Sequence, residues 1–395
     1  MRQTIKEIEV NVAYRWFCGF GLTDPIPHFS TFGKNYMRRF KDTDIFEKIF
    51  TRILTEAIMH HFVNTKAVFM DSTHIKANAN KRKKIEVEVK NESKKFQKTL
   101  EQEINADRKE NGKKELDFDD DDEGTHTITQ STTDPESGEF HKGEHEKMFA
   151  YSAHTVCDKN EFILGCKVTA GNVHDSTQFS ELFNYVNENF EFKYIGLDAG
   201  YKTPAIAKEI IDNGKIPLMP YTRPKSKNKK EFEYDKYYDF YRCQAGNLLE
   251  YSTTNRNGYR EYRSDRKMCA VCPNYEECIS KSQHNKMLTR HIWQGYLDKV
   301  EEIRHSAEWK EYYPKRKETI ERVFGDAKEK HGMRYTQLRG QKKVSMEVLL
   351  TFACINLKKL AKWIWKRTGF NGTGSRILRI IQRLYAKMAL QRLFA

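Results

Sequence analysis

Long apolar runs are missing from this chain. Nowhere do about 18 uncharged apolar residues follow one another, so no segment reads as a membrane span. The start, Met1-Arg2-Gln3-Thr4-Ile5-Lys6-Glu7-Ile8-Glu9-Val10, lacks the apolar stretch of a signal peptide, and the two absences together point to the cytoplasm. Cysteine is sparse, with eight in 395 residues, and a cytoplasmic chain of this size does not rest on a disulfide framework. Hydrophobic residues make up only 38%, yet 12% aromatics are enough for real cores and exclude disorder along the whole length. At roughly 100–200 residues per domain, the length suggests two or three structural units. No internal repeat is visible.

Basic residues are in excess. The 69 Lys and Arg outnumber the 55 Asp and Glu and leave a formal charge of +14, which points to a polyanionic partner, most often nucleic acid, against the blander reading of a soluble basic surface. The surplus is uneven: the last 48 residues, Val348 to Ala395, hold ten Lys or Arg and no acid.

Residues 1–63 read as a small helical, DNA-binding unit. Ile45, Phe46, Ile49, Phe50, Ile53, Leu54, Ala57 and Ile58 recur at helical spacing behind Asp44 and Glu47, and a second helix is expected from Ser30 or Thr31 to about Arg39. Residues 64–221 read as the first part of an α/β domain. The apolar run Ala67–Met70 reads as a strand delivering Asp71 at its end, and a hairpin is expected over Phe149–Cys157 and Phe162–Thr169. A helix near Ser176–Asn187, a strand at Tyr194–Leu197, a helix at Pro204–Asn213 and a strand at Ile216–Met219 follow. This pattern implies a mixed sheet flanked by helices. Residues 79–143 read as an exposed, charged and partly disordered insertion with a Lys/Glu-rich helix near 85–110, and residues 222–304 as a second insertion rich in Lys, Tyr and Cys. Residues 305–368 read as helices closing the domain, and residues 369–395 as a basic tail with an amphipathic helix at Ile377–Phe394.

Three acids stand where a fold could gather them: Asp71, Asp198 in Ile195-Gly196-Leu197-Asp198-Ala199-Gly200-Tyr201, and Glu321 in Lys317-Glu318-Thr319-Ile320-Glu321-Arg322-Val323-Phe324-Gly325. Singly, each is better explained as a turn, a cap or a solvated helix face. Together, two Asp from one sheet and a Glu from a helix packed on it would form hard oxygen ligands suited to Mg²⁺ or Mn²⁺, and a pair of such ions supports in-line phosphoryl transfer. The His174-Asp175 pair is explained as well by a turn after a strand as by a metal site.

The segments Asp71-Ser72-Thr73-His74-Ile75-Lys76-Ala77-Asn78-Ala79, Gly171-Asn172-Val173-His174-Asp175-Ser176, Asp198-Ala199-Gly200-Tyr201-Lys202 and Arg316 to Lys328 resemble the successive signatures of DDE transposases from bacterial insertion sequences, of the insertion-sequence-four-like superfamily and the family 1182 type. The resemblance spans roughly residues 10–365 and begins partway into an N-terminal helical domain, so an N-terminally truncated chain is expected. It implies an RNase H-like catalytic domain in which Asp71, Asp198 and Glu321 bind the divalent metals, in a bacterial, nucleoid-associated protein. It further implies cleavage and joining of DNA at the terminal inverted repeats and at target DNA, by at least a homodimer. Glu321 is preferred over Glu318 because it directly precedes Arg322-Val323-Phe324-Gly325. Lys76, Arg316 and Lys328 are the expected DNA contacts. The related group carries Tyr, Arg, Glu and Lys on this helix; here Pro314 and Lys317 stand at the Tyr and Arg positions. The alternative reading is a catalytically inactive, DNA-binding remnant of a transposase.

Cys269 and Cys272 form C-x2-C, with Cys278 after five intervening residues and Cys243 well upstream. Four soft ligands within 36 residues could close a tetrahedral structural Zn²⁺ site, although Cys243 lacks a near partner.

Overall fold

The computed structural model describes residues 2–40, 43–90, 96–118, 125–142, 146–222, 232–279 and 283–368. The expected tail helix at 377–394, and most of the acidic run that follows Asp117, lie outside them. Among the described residues, no helix is long and apolar enough to cross a membrane.

The N-terminal unit consists of α1 (Arg2–Val10), α2 (Val12–Phe17), α3 (Phe29–Asn35), which continues into a π-helical turn at Tyr36–Phe40, and α4 (Ile45–Met59). α4 buries Phe46, Phe50, Ile53, Leu54 and Ala57, one stripe at helical spacing. α1 buries nothing, and α2 buries only Arg15, whose guanidinium donates to the carbonyls of Gly21 and Asp24.

A mixed sheet follows, built from β1 (Ala67–Lys76), β2 (Lys84–Lys90), β3 (Thr125–Ser131), β4 (Gly138–Lys142), β5 (Glu146–Asp158), β6 (Ile163–Ala170), β7 (Tyr194–Gly196) and β8 (Ile216–Leu218). Its order is β2-β3-β4-β5-β1-β7-β8, and β6 also pairs with β5. β1 is central, antiparallel to β5 and parallel to β7, which is why Ala67, Val68, Phe69 and Met70 are all buried rather than alternating in and out. The 13-residue β5 divides its other edge: β4 pairs with its first part and β6 with the remainder. The parallel strands are joined through α6 (Asp175–Asn189) and α7 (Pro204–Asp212), as parallel neighbours require.

Three expectations need correction. β1 does not stop at Met70; pairing with β5 carries it to Lys76, so Asp71 is mid-strand. Residues 84–90 are a strand, because Ile85, Glu86 and Val87 alternate with the period of a strand, and the helix α5 (Gln97–Glu110) starts only afterwards. The 79–143 segment is therefore not simply an exposed insertion, since β2, β3 and β4 extend the main sheet.

Residues 232–291 form a second, antiparallel sheet of β9 (Phe232–Asp235), β10 (Phe240–Cys243), β11 (Leu248–Thr254), β12 (Tyr259–Ser264) and β13 (Met287–His291), with short helices α8 (Arg266–Ala270) and α9 (Tyr275–Cys278). The chain returns to the main sheet through α10 (Gln294–Arg304), α11 (Ala307–Tyr312), α12 (Lys315–Lys330) and α13 (Gln341–Thr368). One apolar core joins α4, the main sheet, α6, α7, α12 and α13. α13 is pinned to β6 by the buried Asn356, whose amide accepts from the Ile163 N–H at 2.9 Å and donates to its carbonyl at 2.8 Å.

Candidate active site

Parallel pairing sets the first two acids side by side. The register that matches Ala67 to Tyr194 and Phe69 to Gly196, carried two residues past the end of β7, sets Asp198 opposite Asp71. Leu197 is held to β8 by its N–H bond to the Leu218 carbonyl, so the chain leaves the sheet only at Asp198. There Asp198 takes an extended conformation and accepts from the Gly200 N–H at 2.9 Å, capping the short 3₁₀ turn Ala199–Tyr201. Such a strand end in an open α/β sheet is where side chains converge on ligands.

α12 packs across β1 and β5 and buries Arg316, Thr319, Ile320, Val323, Phe324 and Ala327, a stripe with helical period. Arg316 is the charged member of that stripe. Its Nη2 donates to Asp71 Oδ2 at 2.6 Å, and its Nη1 lies 3.5 Å from Glu321 Oε1, so one guanidinium joins the acid of the strand to the acid of the helix. Glu318 is exposed and makes no ion pair with Arg316. Lys317 is also exposed; Arg316, one residue earlier, is the cation that turns inward.

The site is short of positive charge. Burial pushes Asp71 up to about 6; Arg316 opposes the rise, while the negative charges of Asp198 and Asp175 add to it. Asp175 opens α6 behind His174, whose ring accepts from the Ser176 N–H, and its Oδ1 lies 3.4 Å from Nδ1 of the buried His154. Burial lowers His154 to about 4, so this contact is made by a neutral ring. His154 Nε2 meets Thr169 Oγ1 at 2.9 Å. Among the described residues the Tyr201 hydroxyl and Arg316 Nε are buried with no hydrogen-bond partner. Burial, with Asp175, Asp71 and Asp198 nearby, holds the Tyr201 phenol well above its usual range.

Sequence offers Asp175 only as half of a His-Asp pair that a turn explains equally well, and it does not single out His154 or Tyr201. Asp175 and Tyr201 sit inside segments that carry the resemblance, so a signal existed for both. His154 lies in a strand with no such mark.

The expected DNA contacts divide. Arg316 is turned to carboxylates rather than to solvent. Lys76 is exposed, and its backbone pairs with the 334–336 segment. Lys328 is half-buried two turns beyond Glu321, close enough to His74 to disfavour its protonation.

The four cysteines gather at one end of the second sheet. The neighbouring charges acting on Cys278, whose pKa burial raises, include those of Cys269, Cys243 and Cys272. Cys269 Sγ meets Ser264 Oγ at 3.0 Å. As they stand, neither these thiols nor the carboxylates form a metal-holding group: among the described residues, no three His, Cys, Asp or Glu side chains do.

Two family models match. Residues 1–38 match a transposase domain (DUF772), and residues 242–361 match a transposase DDE domain. No curated protein and no solved structure matches. Arg316 and Glu321 fall inside the second match, whereas Asp71 and Asp198 lie outside both. The chain is thus similar to transposases at its N-terminus and, through a DDE domain, over the segment that completes the carboxylate site.

Proposed function

We propose that this protein is a DDE transposase of the insertion-sequence-four-like, family 1182 type, which cleaves DNA at the ends of its element and joins them to target DNA. The observation that carries the proposal is one buried arginine, Arg316, joining Asp71 to Glu321, with the β1–β7 register setting Asp198 beside Asp71 just past the parallel pairing. Three antiparallel strands, β1, β5 and β6, followed by two parallel ones, β7 and β8, support an RNase H-like catalytic domain. In this reading the N-terminal helices recognise the terminal repeats, and two copies act together in the nucleoid.

The donor set fits Mg²⁺ or Mn²⁺: all-oxygen ligands, mutually repelling, with one guanidinium as the balancing charge. Asp71, Asp198 and Glu321 would hold the ions, which when bound supply Lewis acidity for attack on a phosphodiester and for departure of the leaving oxygen. The chain's own groups hold the acids in place. The register of β1 and β7 fixes the two Asp, and Arg316 restrains Asp71 and Glu321 against their repulsion.

The test is cleavage or joining of the element's terminal DNA by purified protein with Mg²⁺ or Mn²⁺. Asp71→Asn, Asp198→Asn and Glu321→Gln are each expected to abolish it. Activity surviving all three changes would overturn the assignment, and tight DNA binding by a folded protein that never cuts would favour the inactive remnant.

A further inference from the structure

The chain also carries a basic cleft outside the carboxylate site. α12, α13 and the β5–β6 turn enclose about 500 Å³, with Arg322, Lys330, Lys358, Lys362 and Lys366 along its walls and Lys159 at the turn. Among the described residues two acids line it, and both are engaged. Asp326 pairs with Lys330 at 2.5 Å, and Glu161 pairs with Lys359 and, at 3.4 Å, with Arg322. Among the described residues Lys159, Lys358, Lys362 and Lys366 have no carboxylate partner. The last three follow one another at every fourth residue of α13, an exposed stripe about 12 Å long at 1.5 Å per residue. Like charges at this spacing repel along a helix, and Asp326, already paired with Lys330, is the one acid of the cleft whose charge is felt at the row, by Lys358. The local field is positive enough that Lys358 and Lys330 add to burial in disfavouring protonation of His331.

The cleft and the carboxylates share α12, on which Arg322 directly follows Glu321. We infer that this cleft holds the sugar-phosphate backbone of duplex DNA as it leaves the carboxylate site, through Lys358, Lys362 and Lys366 assisted by Lys159 and Arg322. The inference rests on the proposed function for its choice of polyanion. A row of ammonium groups along one helix suits repeating phosphates read without sequence, since phosphate contacts position a duplex and base contacts specify it.

The test is binding of the full-length chain to a fluorescent duplex of arbitrary sequence, titrated with salt. In the triple variant Lys358→Gln, Lys362→Gln, Lys366→Gln, the slope of log affinity against log salt should become shallower by about 3, near 0.9 per lost contact. Affinity in 0.1 M salt should fall at least tenfold. The Lys→Arg triple variant should retain the wild-type slope, which separates loss of charge from loss of fold. Exchange of Lys98, Lys109 and Lys113 for Gln removes the same charge elsewhere; an equal change in slope there, or none in the cleft variant, overturns the inference. Displacement of the duplex by polyglutamate at equal charge concentration would assign the cleft to an acidic polypeptide instead. Wild-type cleavage with an unchanged slope in the variant sinks only the cleft, whereas a changed slope without metal-dependent cleavage sinks only the catalytic reading.

Discussion

The two sheets of this molecule are held together by different means. The main sheet sits in a continuous apolar core that reaches from α4 to α13, and buried polar groups such as Asp158, His154 and Asn356 find partners within it. The second sheet has a core of only Phe232, Tyr241, Leu249, Tyr262 and Leu288. It is braced instead by carboxylates. Asp239 accepts from the Tyr234 and Tyr262 hydroxyls at 2.6 Å each, and Asp107 of α5 takes Arg260 and Thr254. Arg108 of the same helix donates to Thr253 and to the Thr254 carbonyl. The contrast shows that where apolar area is scarce, order must come from directional contacts, whose members support one another.

Changing the main sheet's own polar keystone should break that contrast most sharply. Asp158 accepts from the N–H groups of Asn64, Asn160 and Phe162, so Asp158→Ala leaves one buried and two half-buried donors unpaired; at about 1–3 kcal/mol for the buried one and less for the others, a loss of about 3–5 kcal/mol is expected in denaturant unfolding. The second sheet should respond locally. Asp239→Ala removes the acceptor of two tyrosines, and about 2–4 kcal/mol should vanish from hydrogen-exchange protection of β9–β13 while β1 stays protected. Asp239→Asn keeps an acceptor oxygen and tolerates the positive φ of 54° at this turn, so its cost should be about 1 kcal/mol.

The carboxylates of the candidate site cost the main sheet stability. Asp71 titrates near 6 in the fold against 3.8 ordinarily. A raised carboxyl favours folding most below the lower value, and that advantage is lost as pH climbs through the higher. Asp71→Asn should therefore gain stability relative to wild type between pH 4 and 6, by up to about 2–3 kcal/mol, and hold the gain above. A difference that stays flat across this window would show that Arg316 neutralises Asp71 completely. The smallest expected effect concerns the thiols. One equivalent of Zn²⁺ found by elemental analysis, and lost in Cys272→Ser, would add a metal to the contacts bracing the second sheet; its absence leaves the Asp107 and Asp239 networks to do so alone.

Much of the main sheet was legible in sequence because its signals are local. The β5–β6 hairpin, α6, β7, α7 and β8 each carry their own apolar period and their own turn or cap. The second sheet was not legible, because tyrosines and charged residues replace the apolar alternation that marks a strand. Asp71, Asp198 and Glu321 stand out in sequence only as candidates, and the placing of Asp198 beside Asp71 depends on the register between β1 and β7, which no local pattern encodes. Arg316 was expected to face DNA. Its inward turn follows from the phase of the α12 stripe, where it stands in step with Ile320, Val323 and Ala327. Asp175 was weighed as a turn residue, which its position at the start of α6 allows, and its nearness to His154 emerges only once β5 and α6 pack together.

The amide of Asn356 has a consequence beyond anchoring a helix. By offering Ile163 both an acceptor and a donor it imitates one peptide unit of an absent neighbouring strand, and Gln341 at the opposite end of α13 donates similarly to the Val168 carbonyl at 2.8 Å. β6 is thereby finished at both ends by a helix. An edge so occupied is a poor template for strand addition, so a second copy of the sheet finds few free backbone groups there to pair with.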